Sequence, residues 1–247
     1  MKTPRYQRRF YRSWITGRLL KRRVIIEETD ILIYSDQPVE RDYCMERIRS
    51  YRNQIKAYIA RDERFLNSLE PVTVESRAAP IVRDMAAAGR KADVGPMAAV
   101  AGAIAQRLGE DLIGRGCRDI IIENGGDIYL NTRTAVTVGL FAGSSVLSGR
   151  LKLRLEPEFM PCGVCTSSGT VGHSLSFGKA DAAVIIAGNA ALADAVATAA
   201  GNRIAGAKDL ERAVRFARSV RGVRGALFVI KDTMASWGAV TLDNPAA

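Results

Sequence analysis

Two residues of "ADAVATAAGN", Asp194 and Thr198, stand four apart in a run of small helix-forming residues, so their side chains share one helical face. A carboxylate and a hydroxyl one turn apart can hold a hard cation such as Mg²⁺, which takes few protein oxygens and shares the rest of its shell with phosphate. The competing reading has Asp194 cap the helix and Thr198 bond back to a carbonyl. Three further stretches carry chemistry. In "ENGGD", Asn124 and the glycines Gly125 and Gly126 permit positive φ and close approach of a ligand to backbone N–H groups, and Asp127 can hold a hydroxyl or a metal-bound water. Asn-Gly is equally a signal for a plain hairpin turn. In "TSSGTVGHS", the hydroxyls of Thr166, Ser167 and Ser168 precede Gly169, Thr170 and His173, a composition that suits phosphate oxygens or a polar surface loop. In "FGKADAAVIIAG", Lys179 and Asp181 precede an apolar run, so Asp181 is expected at the mouth of a buried strand or in the turn that starts it.

Other chemistry is excluded. His173 is the single histidine, so no His₂ or His₃ metal centre can form within one chain. "PCGVC" matches half of a zinc deaminase signature, but His173 follows the cysteines and position 175 is Leu175 where the signature needs a glutamate. Neither G-x-G-x-x-G after a strand, nor a P-loop, nor G-x-S-x-G occurs. The formal net charge is +10, but residues 1–26 hold nine Lys and Arg with no acid before Glu27, and the remainder is nearer balance. That concentration points to a basic N-terminal arm, residues 1–25, ahead of a single domain over 26–247, and not to a nucleic-acid-binding face. No apolar run is long enough for a membrane span and no signal-peptide core stands at the N-terminus, so a cytoplasmic chain is expected. Four cysteines do not make a disulfide framework, and a reduced compartment is the simpler assumption.

Periodicity supplies the elements that position these groups. "RRVIIEETDILIYSD" reads as a strand or hairpin. Residues 40–69 read as one long amphipathic helix ended by Pro71. Two small-residue helices flank a break at Gly95-Pro96. "CRDIIIENGGDIYL" reads as strand, turn, strand; short strands follow, then a helix over 208–219 and a final pair "GALFVI" and "GAVTL". Helices mixed with short strands, without βαβ repetition, imply an α+β fold with mixed or antiparallel sheets and packed helices.

In order and wording these residues resemble the ApbE-like superfamily, whose best-known members are FAD:protein FMN transferases. The likeness runs from an alanine-rich helix with Gly102, through "ENGGDIYL" and "TSSGTVGH", to "ADAVAT", and covers about residues 90–240. The phrasing looks most like a short cytoplasmic branch of that superfamily. The resemblance implies that Asp194 and Thr198 bind Mg²⁺ together with the pyrophosphate of FAD. It places Gly102, the Asn124–Asp127 turn and the Thr166–Gly169 loop beside the nucleotide, with His173 and Asp181 as candidates for proton transfer. Relatives suggest a homodimer. Three departures stand out: Ala101 precedes Gly102 where lysine is usual, Ser174–Lys179 replaces "I-D-P-R-T-G", and the lipoprotein signal of exported relatives is missing. The implied activity is FMN transfer or flavin binding, with FAD or FMN and Mg²⁺ as cofactors; the alternative is a non-catalytic flavin-, nucleotide- or metabolite-binding protein acting with a partner enzyme.

Overall fold

The computed structural model describes residues 19–143, 145–169 and 177–243. The chain opens with a hairpin of β1 (Leu20–Ile26) and β2 (Thr29–Ser35), followed by helices α1 (Arg41–Arg61), α2 (Arg64–Asn67) and α3 (Pro80–Ala92). A 3₁₀ turn at Pro96–Ala99 leads into α4 (Val100–Gly114), then β3 (Ile120–Asn124) and β4 (Asp127–Asn131). An excursion of β5 (Val136–Gly139) and β6 (Lys152–Leu155) precedes β7 (Cys162–Ser167), β8 (Ala182–Ala187) and α5 (Ala190–Asn202). The chain finishes with α6 (Leu210–Ser219), β9 (Val223–Ile230), β10 (Thr233–Gly238) and β11 (Thr241–Asp243).

Eight strands form one sheet in the order β1-β2-β3-β4-β7-β8-β9-β10, every neighbour antiparallel, and β11-β6-β5 form a second. Because successive strand residues face opposite ways, the large sheet builds two cores. Ile31, Ile33, Ile120, Ile122, Ile185 and Phe228 face the helices. Leu32, Ile121, Leu130, Val184, Ile186 and Leu227 face Leu153 and Leu155 of the small sheet. Burial on both faces explains why β3 and β8 read as unbroken apolar runs, "III" and "AAVIIA". The architecture is α+β in three layers: helices, large sheet, small sheet.

Two predicted elements differ. The single helix over 40–69 ends at Arg61, because Asp62 is extended and its carboxylate accepts both the Arg64 N–H, at 3.1 Å, and its Nε, at 2.8 Å. This side-chain bond competes with helix continuation and starts the short α2. The partner of "GALFVI" is β10, "TMASWG", and not "GAVTL", which is split between the end of β10 and β11 in the other sheet. The basic segment also reaches into the fold, since Lys21, Arg22 and Arg23 stand on the edge strand β1. Among the described residues no helix is long and apolar enough to cross a membrane.

Candidate functional site

The β3–β4 turn is as tight as a hairpin allows. Asn124 pairs with Asp127, and Gly125 and Gly126 between them have φ of 73° and 102°. Two successive left-handed residues define the turn whose twist matches that of the flanking strands, and glycine adopts both at least cost. Polar neighbours hold this turn in place. Glu123 Oε1 accepts the Gly126 N–H at 2.8 Å, and Asn124 Nδ2 donates to the Ala101 carbonyl at 3.1 Å, fastening the turn to the start of α4.

Asp127 follows on the helix-facing side of β4, since Ile128 faces the small sheet and Tyr129 the helices. It is 8% exposed, and its Oδ1 is buried with no hydrogen-bond partner. Burial, then the neighbouring Asp194 carboxylate, pushes its titration well above the usual carboxylate range; the Cys165 thiol and the Thr166 N–H oppose that shift.

Asp194 comes from α5, which lies along β7. Its Oδ2 accepts the Gly102 N–H at 2.9 Å, and the Ala101 N–H also contributes. These are free amides of the first turn of α4, so Asp194 does cap a helix, though not its own: α5 is capped by Asn189, which accepts the Leu192 N–H at 2.8 Å. Burial outweighs those two donors and pushes Asp194 up to about 7. Gly102 makes the approach possible, because a Cβ there would overlap the Ala190 carbonyl and stand 2.9 Å from Asp194 Cβ. Thr198 is one turn further along α5 and, like Asp194, is only partly buried in a helix otherwise packed with buried alanines.

The fold therefore brings Gly102, Asn124, Gly125, Gly126, Asp127 and Asp194 to one place, with Thr198 one turn beyond. The hydroxyl run divides. Ser167 Oγ lies beside Gly201 of α5, whereas strand alternation turns the Thr166 side chain to the other face, leaving its N–H on Asp127. Ser168 and the exposed Gly169 continue toward solvent. Asp181 is occupied elsewhere, its carboxylate accepting the Lys231 N–H at 2.6 Å in the β9–β10 turn. His173, Thr170 and the rest of 170–176 lie outside the described residues.

Sequence reading takes Cys165 only as one half of "PCGVC" and does not bring it to Asp127. Its buried thiol has two acceptors for its one proton, the Ala190 carbonyl at 3.4 Å and the Asp127 carboxylate, and burial raises its pKa well above the ordinary thiol value. Cys162, three strand residues earlier, is in the opposite core, so the pair cannot close on one metal or on each other. Among the described residues no three His, Cys, Asp or Glu side chains form a self-contained metal site. What the arrangement offers is an orphaned carboxylate oxygen on Asp127, a second carboxylate on Asp194 and the Thr198 hydroxyl. Two neighbouring carboxylates, Asp127 buried and Asp194 partly so, are relieved by a shared proton or by a cation, and this oxygen-only set fits Mg²⁺ completed by phosphate oxygens.

Residues 12–229 match the family model described as "AbpE bacteria". A UPF0280 protein of Methanocella arvoryzae is 44% identical over 213 residues, covering 86% of each chain. One from Methanocaldococcus jannaschii is 43% identical over 225 residues, covering 89% of this chain and 91% of that one. Among solved structures, the flavin transferase ApbE from Vibrio cholerae superposes with a TM-score of 0.57 at 12% identity, over 90% of this chain and 97% of that chain. The ApbE protein from Thermotoga maritima gives 0.54 at 17% identity, over 88% and 96%. The three-layer fold is thus the ApbE fold, and the chain belongs to the ApbE-like superfamily, among the UPF0280 proteins.

Proposed function

We propose that the chain binds FAD through its pyrophosphate at Asp127, Asp194 and Thr198 with Mg²⁺, and transfers FMN to an acceptor hydroxyl. The observation that carries this reading is the buried, unpartnered Asp127 Oδ1 beside the Asp194 carboxylate. When bound, Mg²⁺ supplies charge neutralisation at the pyrophosphate. The Ala101 and Gly102 amides fix the Asp194 carboxylate, and the Thr166 N–H and Cys165 thiol orient that of Asp127. Ser167 and Ser168 lie beside the phosphates and donate to their oxygens, while the Gly169 N–H is held by the Ala180 carbonyl. In the transfer, the acceptor oxygen bonds to the FMN phosphorus as the pyrophosphate P–O bond breaks. AMP leaves with that bonding pair, and the acceptor proton passes to a base, for which His173 is the better candidate because Asp181 is engaged by Lys231. The acceptor is a protein side chain or a small metabolite.

A second reading, a flavin carrier that acts with a partner enzyme and does not turn over, is favoured by the same engagement of Asp181 and by Ala101 at a position where lysine is usual. One experiment separates the two. Thermal-shift titration with FAD, FMN and ADP, with and without Mg²⁺, is followed by chromatography for AMP. A Mg²⁺-dependent FAD shift with AMP release supports transfer, and the same shift without AMP supports the carrier. No shift with any nucleotide refutes both.

A further inference from the structure

Three positions of α5 are not fully buried: Asp194, Thr198 and Asn202. Spaced by four, they form one polar stripe on a helix whose other residues are closed in by the sheet and by α3 and α4. The first two belong to the cation end of the site. Asn202, at the far end, does something different: its Oδ1 accepts the Phe177 N–H at 2.9 Å.

That bond is one of several that clamp two chain segments to the end of α5. Lys179 N–H donates to the Ile204 carbonyl at 2.7 Å, and Gly169 N–H donates to the Ala180 carbonyl at 2.9 Å. The backbones are stacked without space for side chains. A Cβ on Gly178 would overlap the Gly201 carbonyl and come 3.2 Å from Asn202 Cα, and a Cβ on Gly169 would overlap the Gly178 carbonyl. Gly201 itself faces Ser167 Oγ across β7. The chain leaving β7 at Gly169 therefore rests on 178–180, and the start of that segment, at Phe177, is held by Asn202.

We infer that Asn202 is a positioning residue of the nucleotide site, setting Ser168 and Gly169, where the chain leaves β7, at a fixed place relative to Asp194 and Thr198. One rigid helix then gauges the spacing between the groups that meet the cation and those that meet the rest of the ligand. The inference rests on the flavin reading for the identity of that ligand but not for the clamp itself.

The test compares full-length wild type with Asn202→Ala and Asn202→Asp, the latter keeping the Oδ1 acceptor. Amide hydrogen exchange without ligand is expected to accelerate about three- to tenfold at 177–180 in Asn202→Ala, the effect of losing one neutral hydrogen bond, and to stay at the wild-type rate in Asn202→Asp. In calorimetric titrations Asn202→Ala should weaken FAD binding in Mg²⁺ by a similar factor and leave binding of Mg²⁺ alone unchanged, a split that general destabilisation would not give. Unchanged exchange in Asn202→Ala, or FAD affinity within twofold of a wild type that binds it, overturns the inference. A wild type that binds no FAD overturns the flavin reading instead, and the exchange result then decides the clamp alone.

Discussion

Replacing Asp194 with asparagine tests the buried carboxylate pair without any ligand. The carboxyl titrates at about 7 in the fold against an ordinary 3.8, so once ionised it carries about 4 kcal/mol of folding penalty. The sign follows from proton counts. Below pH 4 the group is protonated folded and unfolded, and nothing is lost. As pH rises through 4 to 7 the unfolded chain releases the proton first, stability falls, and it levels off above 7. The asparagine side chain of D194N cannot ionise but gives up one acceptor for the Ala101 and Gly102 amides, which costs about 1 kcal/mol at every pH. In EDTA, urea unfolding should therefore find D194N about as stable as wild type at pH 4.5 and about 3 kcal/mol more stable at pH 8. The second difference corresponds to a Tm about 6–12 °C higher. Taking the difference between two chains cancels the carboxylates that titrate in the ordinary way. Millimolar Mg²⁺ at pH 8 should stabilise wild type and leave the variant unmoved. A difference between the two proteins that is the same at both pH values would refute the raised titration of Asp194.

Other outcomes are expected. Mg²⁺ affinity of wild type should rise with pH through about 7 as Asp194 gives up its proton, which calorimetry at pH 6 and 8 would register. Gly102→Ala should lower stability by about 1–3 kcal/mol through overpacking against Ala190 and should loosen Mg²⁺ binding, checked by urea unfolding and titration. Gly126→Ala, placed at φ 102° with open space around it, should cost about 1–2 kcal/mol from backbone strain alone, read by urea unfolding. The four cysteines are all buried, so a thiol reagent should label none in the native protein and all four in urea.

The sequence announced groups better than their partners. Asp194 and Thr198 were legible because helical spacing places them on one face. That Asp194 caps α4 was not, since the capped helix begins some ninety residues earlier and only packing brings it near. Asp127 was read as a ligand-side group of a turn; its pairing with Asp194 crosses from β4 to α5, and no local pattern records that. Asn202 continues the spacing of Asp194 and Thr198, a signal present in the sequence and passed over because asparagine at a helix end reads as punctuation. The edge strand β10 was missed for a related reason. "TMASWG" has little apolar alternation, and it is a strand because its backbone bonds to β9. At residues 62–64, one aspartate's bonds to the next turn outweighed thirty residues of amphipathic pattern.

The strand order has a consequence for how the site comes into being. The large sheet divides at the β4–β7 seam: β1 to β4 with α1 to α4 lie on one side, β7 to β10 with α5 and α6 on the other. Asp127 belongs to the first half, and Asp194 to the second. Each half supplies only one of these two aspartates, so their pairing exists only once the halves have docked, and their repulsion works against that docking. A cation bridging the two would act as a rivet across the seam. Cutting the chain in the β5–β6 excursion, which joins the halves, would turn that rivet into a measurable association constant, with metal and nucleotide reporting on assembly as well as on chemistry.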